Sequence, residues 1–213
     1  SAARSSSLGR TRRTRRSATR HSGRNTSQVG RVKRISTSSK IGESDPAGSG
    51  YIPHLSRLWE EAADEWTPTC RVVKLRTPLV LARKGGGLAK LALPARFGLG
   101  APLGSGRQWM PWVHLDDLVR AYEHALTNAA MRGAYNVCAG DQRTNRDFTK
   151  AVSKALGRPM FLPAVPDFLL KLALGELSRI LLGGSRATNA KLLATGFTFR
   201  YDALDAALKD CLG

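Results

Sequence analysis

Between residues 51 and 157, runs of β-branched and aliphatic residues alternate with stretches of helical period, and that alternation restricts the fold more than any other feature of the chain. Tyr51 to Trp66 carries Leu55, Leu58, Trp59, Ala62 and Ala63 at helical spacing. CRVVKLRT, Cys70 to Thr77, is β-rich, and PLVL continues it past Pro78. Lys84 to Gly87 reads as a turn into a helix around Leu88 to Phe97. An extended segment, Trp109 to Val113, precedes a helix from Asp116 to Asn128, and AYNVCAG, Ala134 to Gly140, is a strand. Thr144 or Asn145 caps a helix that ends at Gly157, ahead of Pro159. Strands separated by helices predict an α/β fold with a parallel sheet. Beyond residue 157 the pattern becomes a small, mostly helical appendage: helices Pro166 to Leu182, Thr188 to Ala194 and Ala203 to Leu212, with a strand at Phe197 to Tyr201. The domain reading is therefore 43–157 for the α/β part and 158–213 for the appendage.

The densest stretch is Pro102 to Leu118, PLGSGRQWMPWVHLDDL. Gly104 and Gly106 let the backbone turn sharply, and the strand-to-helix junction that follows is where α/β folds collect ligands. Two readings stand side by side. In one, Trp109 and Trp112 are core, His114 is a hydrogen-bonded buried histidine, and Asp116 and Asp117 cap a helix. In the other, Arg107, Gln108, Trp109 and His114 wall a substrate crevice.

Charge separates the first 42 residues from the rest. The chain has 34 Lys+Arg against 16 Asp+Glu, but residues 1–42 hold ten arginines, two lysines and no acid, leaving 22 basic and 16 acidic residues elsewhere. A segment of Ser, Thr, Arg and Gly with no apolar period buries too little to offset its ordering entropy, so disorder is expected. It could be a non-native or misjoined sequence, a transit segment, or a nucleic-acid arm; the first is preferred. The arm lacks interleaved aromatic residues for base stacking, so nucleic acid is not an expected partner. Three scattered cysteines, Cys70, Cys138 and Cys211, give no disulfide framework or zinc spacing, and no metal is expected. No apolar run is long enough for a membrane span. The expected compartment is the cytoplasm, or an organelle if residues 1–42 are a transit segment.

RVVKLRTPLVL, GGGLAKLALPARFGLGAPLGSGRQWMPWVHLDDL, NRDFTKAVSKALGRP and KLLATGFTFRYDALDAALKD resemble the epimerase-like atypical branch of the short-chain dehydrogenase/reductase superfamily. Its members are often described as nucleoside-diphosphate-sugar epimerases with a small C-terminal domain of unknown function. The resemblance runs from about Asp45 to the end. It implies a Rossmann domain that binds NADP or NAD through a glycine-rich loop after its first strand. Gly98 to Gly104 fails as such a loop because a proline intrudes and an extended segment follows, and Gly85-Gly86-Gly87 is a weak signal. The phosphate-holding half is therefore expected to be missing here, leaving a chain that binds a dinucleotide poorly and is inactive alone.

The resemblance also carries two departures. The superfamily's tyrosine, with a lysine four residues on, sits on the helix before RVVKLRT; here that helix reads Leu55-Ser56-Arg57-Leu58-Trp59, and Tyr51 has no lysine at the spacing. Sugar-nucleotide epimerases place a diphosphate-binding arginine four residues before the histidine of their HVDD-like motif, where this chain has Met110. Arg107 is near enough to substitute. Thr77 and Pro78 end the strand where the superfamily backbone passes the nicotinamide, so they are the cofactor candidates. The expected function is an NAD(P)-dependent epimerase or oxidoreductase acting on a small, sugar-related molecule; the alternative is a non-catalytic Rossmann-like binding or assembly module.

Overall fold

The computed structural model describes residues 40–48, 50–175, 178 and 182–213. In chain order its elements are α1 (Tyr51–Asp64), β1 (Val73–Arg76), β2 (Leu79–Leu81), α2 (Gly86–Arg96), β3 (Trp109–Met110), β4 (Trp112–His114), α3 (Leu115–Thr127), β5 (Gly133–Asn136), β6 (Arg143–Thr144), α4 (Asn145–Ala155), α5 (Asp167–Leu174), α6 (Ala190–Leu193) and α7 (Leu204–Leu212). The fold is α/β, with parallel pairs β1·β5 and β2·β4 and a short antiparallel pair β3·β6. Pro78 explains why the run from Cys70 to Leu81 is two strands and not one. Proline has no N–H for a ladder. At that point the chain leaves β5, its partner through Arg76↔Asn136, and joins β4 through Leu79↔Trp112.

Strand alternation sorts the core into two layers. Trp112 enters a cluster with Leu81, Leu88, Phe148, Val152, Leu204 and Leu208, while Val113 enters one with Ala121, Met131, Tyr135, Val137, Leu192 and Phe197. β4 is thus covered on both faces, as strands of parallel sheets usually are. Each fully buried leucine contributes about 1.5–3 kcal/mol of transfer free energy. β1 obeys the same period: Val73 and Leu75 pack into the second cluster, while Lys74 and Arg76 reach Asp64 and Glu60 of α1.

Three expectations change. The Tyr51 to Trp66 helix exists as α1, but it buries none of its residues; Leu58 and Trp59 remain 45% and 68% exposed, because ion pairs to β1 hold the helix. Phe197 to Tyr201 is not a strand. Phe197 is buried and meets Phe199 edge-to-face at 5.0 Å, but the backbone N–H groups of Arg200 and Tyr201 donate to the Asp117 carboxylate instead of to a neighbouring strand. The helix from Pro166 is described as α5 through Leu174, and most of its expected continuation to Leu182 lies outside the described residues. By contrast, Thr144 caps α4 as expected, its Oγ1 accepting from the Asp147 N–H at 3.3 Å.

Candidate functional site

Residues 102–109 form a loop whose shape is set from inside. Gly104 and Gly106 take φ of 57° and 70°, conformations that a side chain would strain. Asn145 Oδ1 accepts from the Leu103 N–H at 2.7 Å, its own N–H donates to the Gln108 carbonyl at 2.8 Å, and Gln108 Nε2 donates to the Leu103 carbonyl at 3.0 Å. Gln108, 6% exposed, therefore staples its own loop. Arg107 is exposed at the turn, and its described hydrogen bond runs from its backbone N–H to Ser105 Oγ. Arg146 begins α4 beside it, with its N–H on the Gly106 carbonyl at 3.0 Å and its side chain exposed.

Trp109 and Met110 face opposite ways, as neighbours on a strand do. Met110 packs against the cluster around Trp112. On the other side the Arg186 guanidinium carbon stands 4.6 Å from the centroid of the Trp109 ring. Gly184 permits this approach, since a Cβ there would fall on the Trp109 backbone carbonyl. Arg186 Nε is buried and has no hydrogen-bond partner among the described residues. A buried, unpaired donor costs about 1–3 kcal/mol, and a cation on an indole face returns about 0.5–2 kcal/mol. The guanidinium is therefore held in place with hydrogen-bonding capacity to spare.

The chain around Arg186 is clamped. Gln142 bonds both backbone groups of Ala187, donating from Nε2 to the carbonyl at 2.7 Å and accepting the N–H on Oε1 at 3.0 Å. The Ile41 N–H donates to the Arg186 carbonyl at 2.7 Å and the Thr188 N–H to the Ile41 carbonyl at 2.9 Å. This double strap crosses the C-terminal ends of β1 and β5. There Asn136 donates its N–H to Glu43 Oε1 at 2.8 Å and its Nδ2 to the Thr188 carbonyl at 3.1 Å, and Arg76 donates to the Glu43 carbonyl at 3.1 Å. Thr77 is exposed at the end of β1, on the rim of a cavity of about 730 Å³ between α1 and β1. Its lining mixes apolar Ala47, Pro53, Trp59, Ala63 and Leu75 with Glu60, Lys74 and Arg76, which are ion-paired with one another. The Arg76 guanidinium on Glu60 lowers that carboxyl's pKa below its ordinary value.

His114 lies apart from Arg107, in the core. It is 3% exposed and caps α3: Nδ1 accepts the Asp116 N–H at 3.2 Å, which leaves the proton on Nε2 to donate to Asp210 at 3.2 Å. Its ring lies 3.9 Å from that of Tyr201. The helix cap is thus the histidine and not an aspartate. Asp117, with no exposed surface, bonds the N–H groups of Arg200 and Tyr201, both at 2.8 Å, and Arg120 at 2.7 Å. His114, Asp210 and Cys211 also form a cluster whose ligand atoms lie within 4.8 Å. All three groups are engaged within the fold: Arg83 holds Asp210, His114 bonds Asp116 and Asp210 through its two ring nitrogens, and burial pushes the Cys211 thiol up to about 11. The cluster locks α7 to the β4–α3 junction.

Arg107, Gln108 and Trp109 thus follow one another in one loop with different neighbours, Arg107 exposed, Gln108 turned onto Leu103 and Trp109 under Arg186, while His114 is buried against Asp210 and Tyr201. Sequence reasoning missed Arg186, Gln142, Asn136 and Glu43. The available signal was the polar, acid-free run SRATNAK ahead of α6, which is more polar than a linker between two core helices requires.

Comparison with known proteins bears on this region. Residues 90–138 match the NAD dependent epimerase/dehydratase family, and residues 165–211 match a domain of unknown function (DUF1731). The Epimerase family protein SDR39U1 of Mus musculus is 39% identical over 170 residues, covering 79% of this chain and 58% of its own length. The chloroplastic homolog of Arabidopsis thaliana is 36% identical over 78% of this chain and 48% of its own. The crystal structure of human epimerase family protein SDR39U1 (isoform 2) with NADPH superposes with a TM-score of 0.75 at 35% identity, covering 83% of this chain and 60% of that one. The chain therefore spans about half to three fifths of the length of these relatives.

Proposed function

This chain belongs to the NAD dependent epimerase/dehydratase family, in the branch that carries the domain of unknown function, and from that premise we propose that it forms the substrate-side wall of an NAD(P)-dependent, epimerase-like oxidoreductase or epimerase. The carrying observation is the strap over the C-terminal ends of β1 and β5, the end of a parallel sheet where such folds bind their ligands, with exposed Thr77 beside it. In this reading residues 43–157 are the epimerase-like part, residues 158–213 cover the substrate, and Arg107 and Trp109 face it. The substrate is a small, sugar-related molecule.

The residues present fit only one end of a nicotinamide dinucleotide. Thr77 and Pro78 suit the nicotinamide end. A dinucleotide's pyrophosphate needs a glycine turn between a strand and a helix N-terminus. Among the described residues, Gly85–Gly87 between β2 and α2 has that order, but a Cβ on Gly87 would collide with the Leu79 side chain, so this glycine serves packing against β2. No chemical step through the cofactor follows from these residues. α1 adds none, because Tyr51 is 74% exposed and Leu55 stands where the lysine would. That observation favours the second reading, a binding module without turnover.

Calorimetric titration with NADPH, NADP+ and NADH, run beside a screen for substrate-dependent NADPH oxidation, separates the two. Binding with turnover that falls in Arg107→Ala supports the enzyme. Binding without turnover supports the module. Absence of binding both here and in a full-length relative removes the cofactor from the reading. Fluorescent fusions with and without residues 1–42 decide between cytoplasm and organelle.

A further inference from the structure

We infer that the outward face of α2 and α4 is a docking surface for an anionic lipid bilayer, on which Phe97 and its apolar neighbours enter the headgroup layer while the lysines and arginines around them meet the lipid phosphates. The face is separate from the substrate wall. Leu88, Ala92 and Ala95 of α2 share one buried cluster with Phe148, Ala151 and Val152 of α4, so the outward residues of the two helices lie side by side. The contact continues past the end of α2, since a Cβ on Gly100 would fall against Ser153 Oγ of α4.

Three observations carry this beyond an ordinary solvated face. The first is apolar: Lys90, Leu93 and the C-cap residue Phe97 recur at helical spacing opposite the buried side of α2, and Leu93 is 56% and Phe97 75% exposed. Gly98, at φ 75°, then turns the chain, and Leu99 is 56% exposed as well. The outer side of a helix in water is polar, so three large apolar side chains at one end of it point to an apolar partner. The second is basic: Lys150 and Lys154 lie one turn apart on the outside of α4, Arg158 follows its end and Arg96 closes α2, all four exposed and none in an ion pair among the described residues. The third is the fate of the acids. Residues 82–115 hold no Asp or Glu, 142–166 hold Asp147 alone, and Asp167, the next acid in the chain, lies against Gly104. Thr144 bonds Asp147, while Asp205 and Asp210 of α7, which packs on α4, take Arg143 and Arg83. The face therefore keeps its positive charge beside its exposed apolar groups. Nucleic acid would use the charge but leave Leu93 and Leu99 in water, since base stacking needs aromatic rings. An anionic bilayer takes both, the phosphates pairing with the bases and the apolar side chains entering the acyl boundary. No described helix is long and apolar enough to cross a membrane, and this contact needs none.

Co-sedimentation of the 213-residue chain with vesicles of phosphatidylcholine, alone or with about 30% phosphatidylserine, tests the assignment. Residues 1–42 hold ten arginines and two lysines, which attract any anionic surface, so the variants separate the face from the total charge. Lys150→Gln/Lys154→Gln removes as much charge from the face as Arg15→Gln/Arg16→Gln removes from the first segment, and near-UV circular dichroism shows that each variant folds. The parent is expected to bind the phosphatidylserine vesicles at least about tenfold more tightly than the neutral ones. Lys150→Gln/Lys154→Gln should lose about tenfold or more of that affinity, and Arg15→Gln/Arg16→Gln should stay within about threefold. Phe97→Ser should lose about fivefold or more, with Phe97→Leu restoring most of it, because the contact is apolar and not specific to the ring. Equal losses from the two double variants, unchanged binding by Phe97→Ser, or failure of the parent to bind phosphatidylserine vesicles overturns the inference. A DNA duplex titrated in parallel covers the other occupant. Binding to the duplex in preference to the vesicles, weakened by Lys150→Gln/Lys154→Gln and indifferent to Phe97→Ser, would assign the face to nucleic acid and overturn the lipid assignment.

Discussion

Asp117 shows how much of this molecule hangs on single buried polar groups. Its carboxylate is fully covered and accepts two backbone N–H groups from residues 200 and 201 and one bond from Arg120. Removing it strands two donors and a cation, each a desolvation cost without return. Asp117→Ala should therefore cost about 3–5 kcal/mol in denaturant unfolding, and Asp117→Asn less, since its carbonyl still accepts one of the bonds. Asp210 makes a different prediction, in pH. The Arg83 guanidinium, against the opposing effect of burial and with help from Tyr201 and His114, lowers its pKa from 3.8 to about 2. A depressed carboxyl stabilises the fold fully above its ordinary value, and that contribution is lost as pH falls through the depressed one. Acid unfolding should thus steepen between 3.8 and about 2, and Asp210→Asn should flatten that window while leaving the slope near neutrality unchanged. Circular dichroism across the acid range reads both.

At the scale of elements, period was legible and choice of face was not. Leu118, Val119, Tyr122 and Leu126 look like the apolar face of α3, yet only Leu118 packs on the core, and Val119, Tyr122 and Leu126 are 53–77% exposed. The buried side is Asp117, Ala121 and Ala125, because the layer around Val113 and Met131 admits small residues against the sheet. Val119→Ala and Tyr122→Ala should therefore change stability by no more than about 0.5 kcal/mol, while Ala121→Leu overpacks the layer and costs about 1–3 kcal/mol. Thermal melts of the three variants check the contrast. The α/β order, the Thr144 cap and the Gly104–Gly106 turn could be read because each depends on residues a few positions apart. The β-like alternation at 197–201 misled because a strand needs a partner, and a carboxylate more than 80 residues away satisfies that backbone instead. The strap around Arg186 was hidden for the same reason. Gln142 and Ala187 are 45 residues apart, and the polar run around Arg186 marks the segment without saying that it lands on Trp109.

Across the whole described molecule, stability should come in two grades. α2, α4 and α7 share one apolar cluster with β2 and β4, so they open only with the core. α1 has no buried residue, and polar bonds attach it to β1: Arg76 to Glu60 at 2.6 Å and Lys74 to Asp64 at 2.7 Å. Partly exposed ion pairs of this kind contribute about 0–1 kcal/mol each and are screened by salt, whereas apolar burial is not weakened that way. Hydrogen exchange followed by mass spectrometry should therefore find α1 amides opening at free energies well below those of α4 and α7. Raising salt from about 0.05 to about 0.5 M should speed exchange in α1 and leave α4 and α7 unchanged. Glu60→Gln should reproduce the high-salt behaviour at low salt, since it removes the charge that Arg76 and Lys74 share. Protection of α1 equal to that of α4, unmoved by salt and by Glu60→Gln, would mean that apolar contacts hold the helix, and the two-grade picture would fail.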